Sequence, residues 1–376
     1  MQPDTQSDSL RSEVPNAASM ERFRTLTQLP GISGHEMRVR DYMKREMSRY
    51  TNELVFDGLG STFAVKRSKD PGAPRLMMSG HMDEVGFVVR QITPNGLLKF
   101  FPIGRIWEHT ILSQRVTVYS SLNGQGFPGA VASIPPHLLA ADRADKLMTV
   151  DQMLIDIGAE SRQEVLDCGI RPGDMIVIDG PFVPLMGGKK LLAKAWDNRF
   201  GCALALDVLE AVAGEELGVE LYIGATVQEE PGLRGARTAA NLVRPDLSVV
   251  FESSAAGDAT GDADELGQQG KGVLLRYLDR TTITHRGLFL YAERLAEHEG
   301  IPYQYFMTQG GTDSGEIHIA GTGCPSMTIG VPSRYIHTNS CIMDYRDYVA
   351  ARTFALAFLR SLNRDVFGRE ILNYSR

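Results

Sequence analysis

Two glutamates, Glu229 and Glu230, stand side by side in Val227-Gln-Glu-Glu-Pro-Gly-Leu-Arg-Gly235, directly after the apolar β-type run Val219–Thr226. Carboxylates about 4 Å apart repel by roughly 4 kcal/mol at an effective dielectric of about 20. A site that keeps both therefore needs a multivalent cation or a shared proton. Alone, the pair serves equally as a solvated acidic turn, so the other strand ends must decide between the two readings. His81-Met-Asp83 ends the run that begins at Arg75. Strand alternation puts His81 and Asp83 on one face, where a neutral imidazole can ligate a transition metal and a carboxylate can fix its tautomer. Asp197 follows Leu191–Ala195 at a strand-to-helix junction, where a helix N-cap is the ordinary role. Glu252 follows Leu247–Phe251, and His337 follows Ser326–Ile329 by way of Pro332-Ser-Arg-Tyr-Ile.

The runs that carry these groups alternate with helical patterns, which predicts an α/β fold with a mixed, mostly parallel sheet flanked by helices. Right-handed crossovers then bring the C-terminal strand ends to one sheet edge, the edge where such proteins bind ligands. No Lys or Arg cluster in the same loops can neutralise Asp83, Asp197, Glu229, Glu230 and Glu252 together. A pair of divalent ions about 3.5–4 Å apart, bridged by one carboxylate, can do so. Water on such ions has a pKa near ~7, which yields a metal-bound hydroxide, and an unligated carboxylate beside it can shuttle protons. Zinc suits His and carboxylate donors, as do cobalt and manganese.

The rest of the chain must position these ends. Residues 1–18 are polar and without periodicity, which predicts a mobile tail. A helix is expected over Met20–Leu29, and a second from His35 or Glu36 that turns Met37, Val39, Tyr42 and Met43 inward. Between residues 94 and 184 short β-like runs alternate with turns, apart from helical patterns over Gln152–Ile157 and Ser161–Cys168. This stretch predicts a small β domain inserted into a catalytic domain of residues 19–93 and 185–376. The net charge of −7 and the lack of a basic stripe exclude nucleic acid as a partner. No apolar run approaches the ~20 residues of a membrane span, and no signal pattern opens the chain, so a cytoplasmic protein is expected. The four cysteines are scattered without CxxC spacing, which argues against disulfides and cysteine-held zinc.

Five segments together resemble one known family. Gly80-His-Met-Asp-Glu-Val-Gly86, Trp196-Asp-Asn-Arg-Phe-Gly201, Val227–Ala236, Gly310-Gly-Thr-Asp-Ser-Gly315 and Arg334-Tyr-Ile-His337 are similar to the tetrahedral and glutamyl aminopeptidases. These are dinuclear metallopeptidases of the zinc-exopeptidase fold. The resemblance runs from about Leu29 to the C-terminus and includes the insert, where Pro135-Pro-His-Leu138 and Asp156-Ile-Gly158 look like that family's PDZ-like oligomerisation domain. It implies an aminopeptidase acting on peptides, assembled as a dimer or up to a tetrahedral dodecamer. It also implies two divalent ions, zinc foremost and cobalt or manganese as alternatives. Asp197 would bridge them, His81 and Glu252 would complete one site, and Glu230 and His337 the other. Glu229 would be the general base, and Asp83 would orient His81 from behind. The Asp197–Asn198 peptide would be cis.

Two positions depart from the family pattern. Glu252 stands where Asp is usual, a change shared with relatives that act on carboxyl ends or acyl groups. A carboxypeptidase or N-acyl amino-acid deacylase is therefore the alternative on the same site. Pro231 stands where a small aliphatic residue is usual and should stiffen the turn. A glycosidase using two carboxylates is a remoter alternative that leaves His81 and His337 without a role.

Overall fold

The computed structural model describes residues 15–138, 146–262 and 264–375. The predicted tail lies outside these residues except for 15–18, and there a helix already begins, Ala17–Gln28, capped by the Asn16 side chain.

In chain order the strands are β1 (Leu54–Phe56), β2 (Thr62–Lys66), β3 (Arg75–His81), β4 (Gly86–Ile92), β5 (Leu98–Ile103) and β6 (Arg115–Tyr119). There follow β7 (Gly126–Val131), β8 (Ile155–Asp156), β9 (Met175–Ile178), β10 (Val183–Leu185), β11 (Lys190–Ala193) and β12 (Glu220–Thr226). The last are β13 (Leu247–Ala255), β14 (Val273–Leu278), β15 (Tyr303–Met307), β16 (Ser326–Arg334) and β17 (Cys341–Asp344).

The large sheet runs β1-β2-β12-β3-β13-β16-β17-β11-β10, with β14 beside β16 and β15 beside β14. Its centre, β12-β3-β13-β16, is parallel. Helices cover both faces, and the residues show why. Leu76 and Met78 of β3 enter one core while Met77 enters the other, and β13 divides Val249 and Phe251 from Val250 in the same way. Alternate residues point to opposite faces, so a strand buried on both sides is apolar throughout. Helix Trp196–Ala211 fills the larger core, and helix Arg234–Val243 covers the other with Ala236, Ala239, Ala240 and Val243. Each fully buried large apolar side chain contributes about 1.5–3 kcal/mol. At Gly80 the sheet and helix Trp196–Ala211 touch backbone to backbone: a Cβ there would lie 2.6 Å from Gly201 Cα.

The inserted domain is a closed barrel, β4-β5-β8-β7-β6-β9, with its own core around Phe87, Phe100, Val116 and Ile155. Because β4 belongs to this barrel, strand pairing carries the barrel back to Gly86. Ser161–Cys168 does hold a helix, Arg162–Asp167, but Gln152–Ile157 ends in β8. Met37 is 61% exposed, so the second helix, Met37–Met47, buries Val39, Met43 and Met47 instead. No helix among the described residues is long and apolar enough to cross a membrane.

Candidate metal centre and active site

The central strands β3, β12, β13 and β16 end at one sheet edge. β11 joins them there, because it is antiparallel to β17, which is antiparallel to β16. His81 is the last residue of β3, and Asp197 follows β11. Glu229 and Glu230 follow β12, and His337 follows β16. Glu252 differs from expectation: β13 does not stop at Phe251 but continues to Ala255, so Glu252 sits inside the strand opposite Gly330. Asp197 is not an N-cap: both its oxygens face imidazoles, and it is the Asn198 side chain that accepts the Gly201 amide. The Asp197–Asn198 peptide is cis.

Asp197 lies between the two histidines, with Oδ1 3.1 Å from His81 Nε2 and Oδ2 3.2 Å from His337 Nε2. Glu252 Oε1 is 3.7 Å and Glu229 Oε2 3.9 Å from His81 Nε2, and Glu230 Oε1 is 3.7 Å from His337 Nε2. Two donor sets, His81–Asp197–Glu230 and His81–Glu229–Glu252, each have their atoms within 4.8 Å of one another. The second set includes Glu229, which the sequence placed as a base. Asp83 lies behind. Its backbone carbonyl is 3.0 Å from His81 Nδ1, while its carboxylate accepts the Glu229 and Glu230 amides at 3.0 and 3.1 Å and the Ser33 hydroxyl at 2.6 Å. One fully buried side chain thus couples the His81 strand to the glutamate turn.

Tight backbone holds these loops. Ala195, Gln228, Leu233, Tyr335 and His337 all adopt positive φ, between 52 and 61°. The left-handed region costs a non-glycine residue roughly 1–2 kcal/mol, and such residues gather at functional sites. At Gly235 a Cβ would come within 2.1 Å of Val227 O, so only glycine lets the helix start back against the turn.

The charges do not balance among the protein groups. Burial pushes Glu229 well above the usual carboxylate range, against the pull of His81, and Glu252, Glu230 and Asp313 add to the rise. Burial raises Glu230 to about 8 and Glu252 to about 7. It would raise Asp197 too, but hydrogen bonds from His337 and His81 hold that carboxyl well below its ordinary value. Burial opposes charge on the imidazoles, yet Glu229, Asp197, Asp83 and Glu252 lift His81 well above its usual range. In the same way Asp197 and Glu230, with the Arg105 carbonyl, take His337 to about 9. The buried Oε1 of Glu230 has no hydrogen-bond partner among the described residues. Crowded oxygen and imidazole donors, buried carboxyls whose charge the protein leaves uncompensated and an orphaned oxygen are what divalent cations would satisfy, so these residues fit such ions.

Several supporting residues escaped the sequence reading. Glu36 accepts the Gln228 and Gly34 amides. Glu84 takes both hydrogen bonds of Lys194 and one from Arg199. Arg199, fully buried, also donates to the carbonyls of Met82, Leu26, Leu29 and Gly31 at 2.6–3.1 Å. Glu84 and Arg199 stand inside the quoted segments, but no spacing in the sequence names their partners. Arg199→Met should cost about 3–5 kcal/mol, because it strips four carbonyls of a donor and leaves Glu84 only Lys194 as a cationic partner among the described residues. Urea unfolding of the metal-free protein checks this, and a midpoint equal to wild type refutes it.

The carboxylates line a cavity of about 370 Å³ that Arg276, Arg280 and the Thr308–Gly311 loop also border. With this geometry in view, known proteins can be compared. The model of the M42 glutamyl aminopeptidase family matches residues 60–354. The glutamyl aminopeptidase of Lactococcus lactis subsp. cremoris is 38% identical over 94% of this chain and 99% of its own length. The TET aminopeptidase of the marine sediment archaeon Thaumarchaeota archaeon SCGC AB-539-E09 superposes with a TM-score of 0.90 at 36% identity, covering 94% of this chain and 99% of that one. The TET1 peptidase of Pyrococcus horikoshii, which can assemble into a tetrahedron or a large octahedral shell, superposes at 0.83 with 29% identity over 92% of this chain and all of its own. The chain therefore belongs to the M42 glutamyl aminopeptidase family and is an aminopeptidase.

Proposed function

We propose that this aminopeptidase works with two divalent metal ions, zinc foremost, held by His81, Asp197, Glu230, Glu252 and His337. The observation that carries the reading is Asp197, whose two oxygens each face one imidazole, the arrangement of a bridging ligand. Bound divalent ions supply Lewis acidity, polarising the scissile carbonyl and making water a nucleophile near neutral pH. The chain's own groups do the rest. The surplus carboxylates attract the protonated amino end of the peptide. Asp83 fixes the glutamate turn through two backbone amides, so Glu229 is held beside the reacting atoms. Glu229 takes the proton of the attacking water and hands it to the leaving amine.

Arg280 on the cavity border favours an acidic first residue on the peptide, while Arg276 beside it is engaged by Asp279 and Ser254. The barrel, residues 94–184 by the sequence reading, serves as the PDZ-like oligomerisation domain of a homo-oligomer, as the assembly of the Pyrococcus horikoshii relative suggests.

The test is a panel of aminoacyl-anilides and dipeptides with acidic, basic and aliphatic first residues. It is run before and after chelation, with zinc, cobalt and manganese added back singly. Chelation should abolish release from free-amino substrates, and one metal should restore it. Cleavage of acylated or carboxyl-end substrates instead would overturn the reading and shift the role of Glu252 toward a deacylase or carboxypeptidase.

A further inference from the structure

A second cavity, of about 490 Å³, opens between the end of β5 and the turn Gln228–Arg234. It shares Arg105, Glu230 and Gly232 with the cavity around the carboxylates, so the two adjoin. Its volume lies within the roughly 300–1,000 Å³ of ordinary ligand sites. Two guanidiniums line it: Arg105, which follows the barrel strand β5, and Arg234, in the first turn of helix Arg234–Val243. Both are exposed, and neither side chain has a hydrogen-bond or ion-pair partner among the described residues. By contrast, Arg237 is paired with Glu316 and Arg334 with Asp258.

We infer that this cleft receives the part of the peptide beyond the bond to be cut, and that Arg105 and Arg234 bind a carboxylate on it. The inference rests on the aminopeptidase reading. A peptide whose amino end sits among the carboxylates must leave the first cavity somewhere, and the shared border at Arg105, Glu230 and Gly232 is an open way out. Arg presents a planar fork of donors that matches a carboxylate, and two unspent forks on one concave wall form a ready site for one. The charge arrangement, acids around the amino end and cations further along, matches a zwitterionic short peptide. The carboxylate is either the free chain end of a di- or tripeptide or an acidic side chain at the second position.

The experiment compares kcat/KM for Xaa-Ala, Xaa-Ala-amide and Xaa-Glu-amide, with Xaa the first residue cleaved best as an anilide. Wild type should favour a carboxylate-bearing substrate over Xaa-Ala-amide by about tenfold, mostly through KM. In the double variant Arg105→Gln with Arg234→Gln that ratio should fall to near one. Because the ratio is taken within each protein, any general loss of activity cancels, and an unchanged unfolding midpoint confirms that the variant is folded. Preference for Xaa-Ala assigns the carboxylate to the chain end, and preference for Xaa-Glu-amide assigns it to a side chain. A wild-type ratio near one, or a ratio the double variant leaves intact, overturns the inference. The anilide has no downstream carboxylate and reports on the aminopeptidase reading alone. A wild-type protein that never releases it removes both claims, whereas release without a carboxylate preference removes only this one.

Discussion

Glu229→Gln should lower kcat by about 10²–10⁴-fold while leaving both metal ions in place. The substitution is nearly isosteric, and the bond that fixes the turn, Glu229 N–H to Asp83, belongs to the backbone and survives. What disappears is the ability to hold a proton. An amide cannot take one from water or return it to an amine, so the loss should fall on kcat, with KM little changed. The assignment meets a specific competitor, because the donor set His81–Glu229–Glu252 would also admit Glu229 as a ligand. The two roles differ in outcome. A ligand replaced by Gln should cost metal, visible as a lower metal-to-protein ratio after dialysis. A proton carrier replaced by Gln should cost turnover alone. Full activity in the variant would sink the catalytic role, and loss of metal along with activity would move Glu229 into the ligand set.

How much of this was legible in the sequence follows from which interactions are local. The strand ends could be found because each pairs an apolar run with a polar residue next to it; the parallel centre of the sheet then sends His81, Glu230 and His337 to one edge, and Asp197 joins them through two antiparallel pairings. Glu252 was located but placed one step outside its strand, because Ser253 and Ser254 look like a loop. In the fold they are buried, and Ser253 bonds Ser333 of β16. β10 and β17 have no apolar pattern that distinguishes three or four residues from a turn, and they exist because β11 and β16 offer them an edge. β4 follows His81 so closely that only its pairing with β5 and β9 reveals its place in the barrel. Met37 fits the helical stripe on periodicity, yet the stripe rotates to favour Met47. Arg199 and Glu84 were out of reach altogether, because a buried ion pair joining residues 115 apart leaves no mark in either neighbourhood.

Asp197→Asn should weaken both metal sites together and bring activity close to zero, whereas His337→Ala should empty one site before the other. The contrast follows from what each residue touches. The carboxylates His337 faces among the described residues are Asp197 and Glu230, so its loss is confined to their side of the cluster. Asp197 presents one oxygen to each imidazole, and its carboxyl is held ionised by both. Asparagine keeps the shape but offers one neutral oxygen and an amide nitrogen that cannot ligate, so whichever way it turns, one side loses its donor and both lose the shared negative charge. Losing an outer partner of a ligand already costs about 10–100-fold in metal affinity, and loss of a ligand common to two ions should exceed that for each. Metal content after dialysis against a graded chelator series separates the cases. Asp197→Asn should release both ions at a chelator strength where wild type keeps both, and His337→Ala should pass through a plateau near one ion per chain. The neighbouring contacts Asn198 Nδ2 to Phe251 O and Gly201 N to Asn198 Oδ1 do not involve Asp197, so the variant should remain folded and the comparison should report on the ions alone. An Asp197→Asn protein that retains two ions, or that loses one cleanly before the other, would remove Asp197 from the bridge and leave the two histidine sites independent.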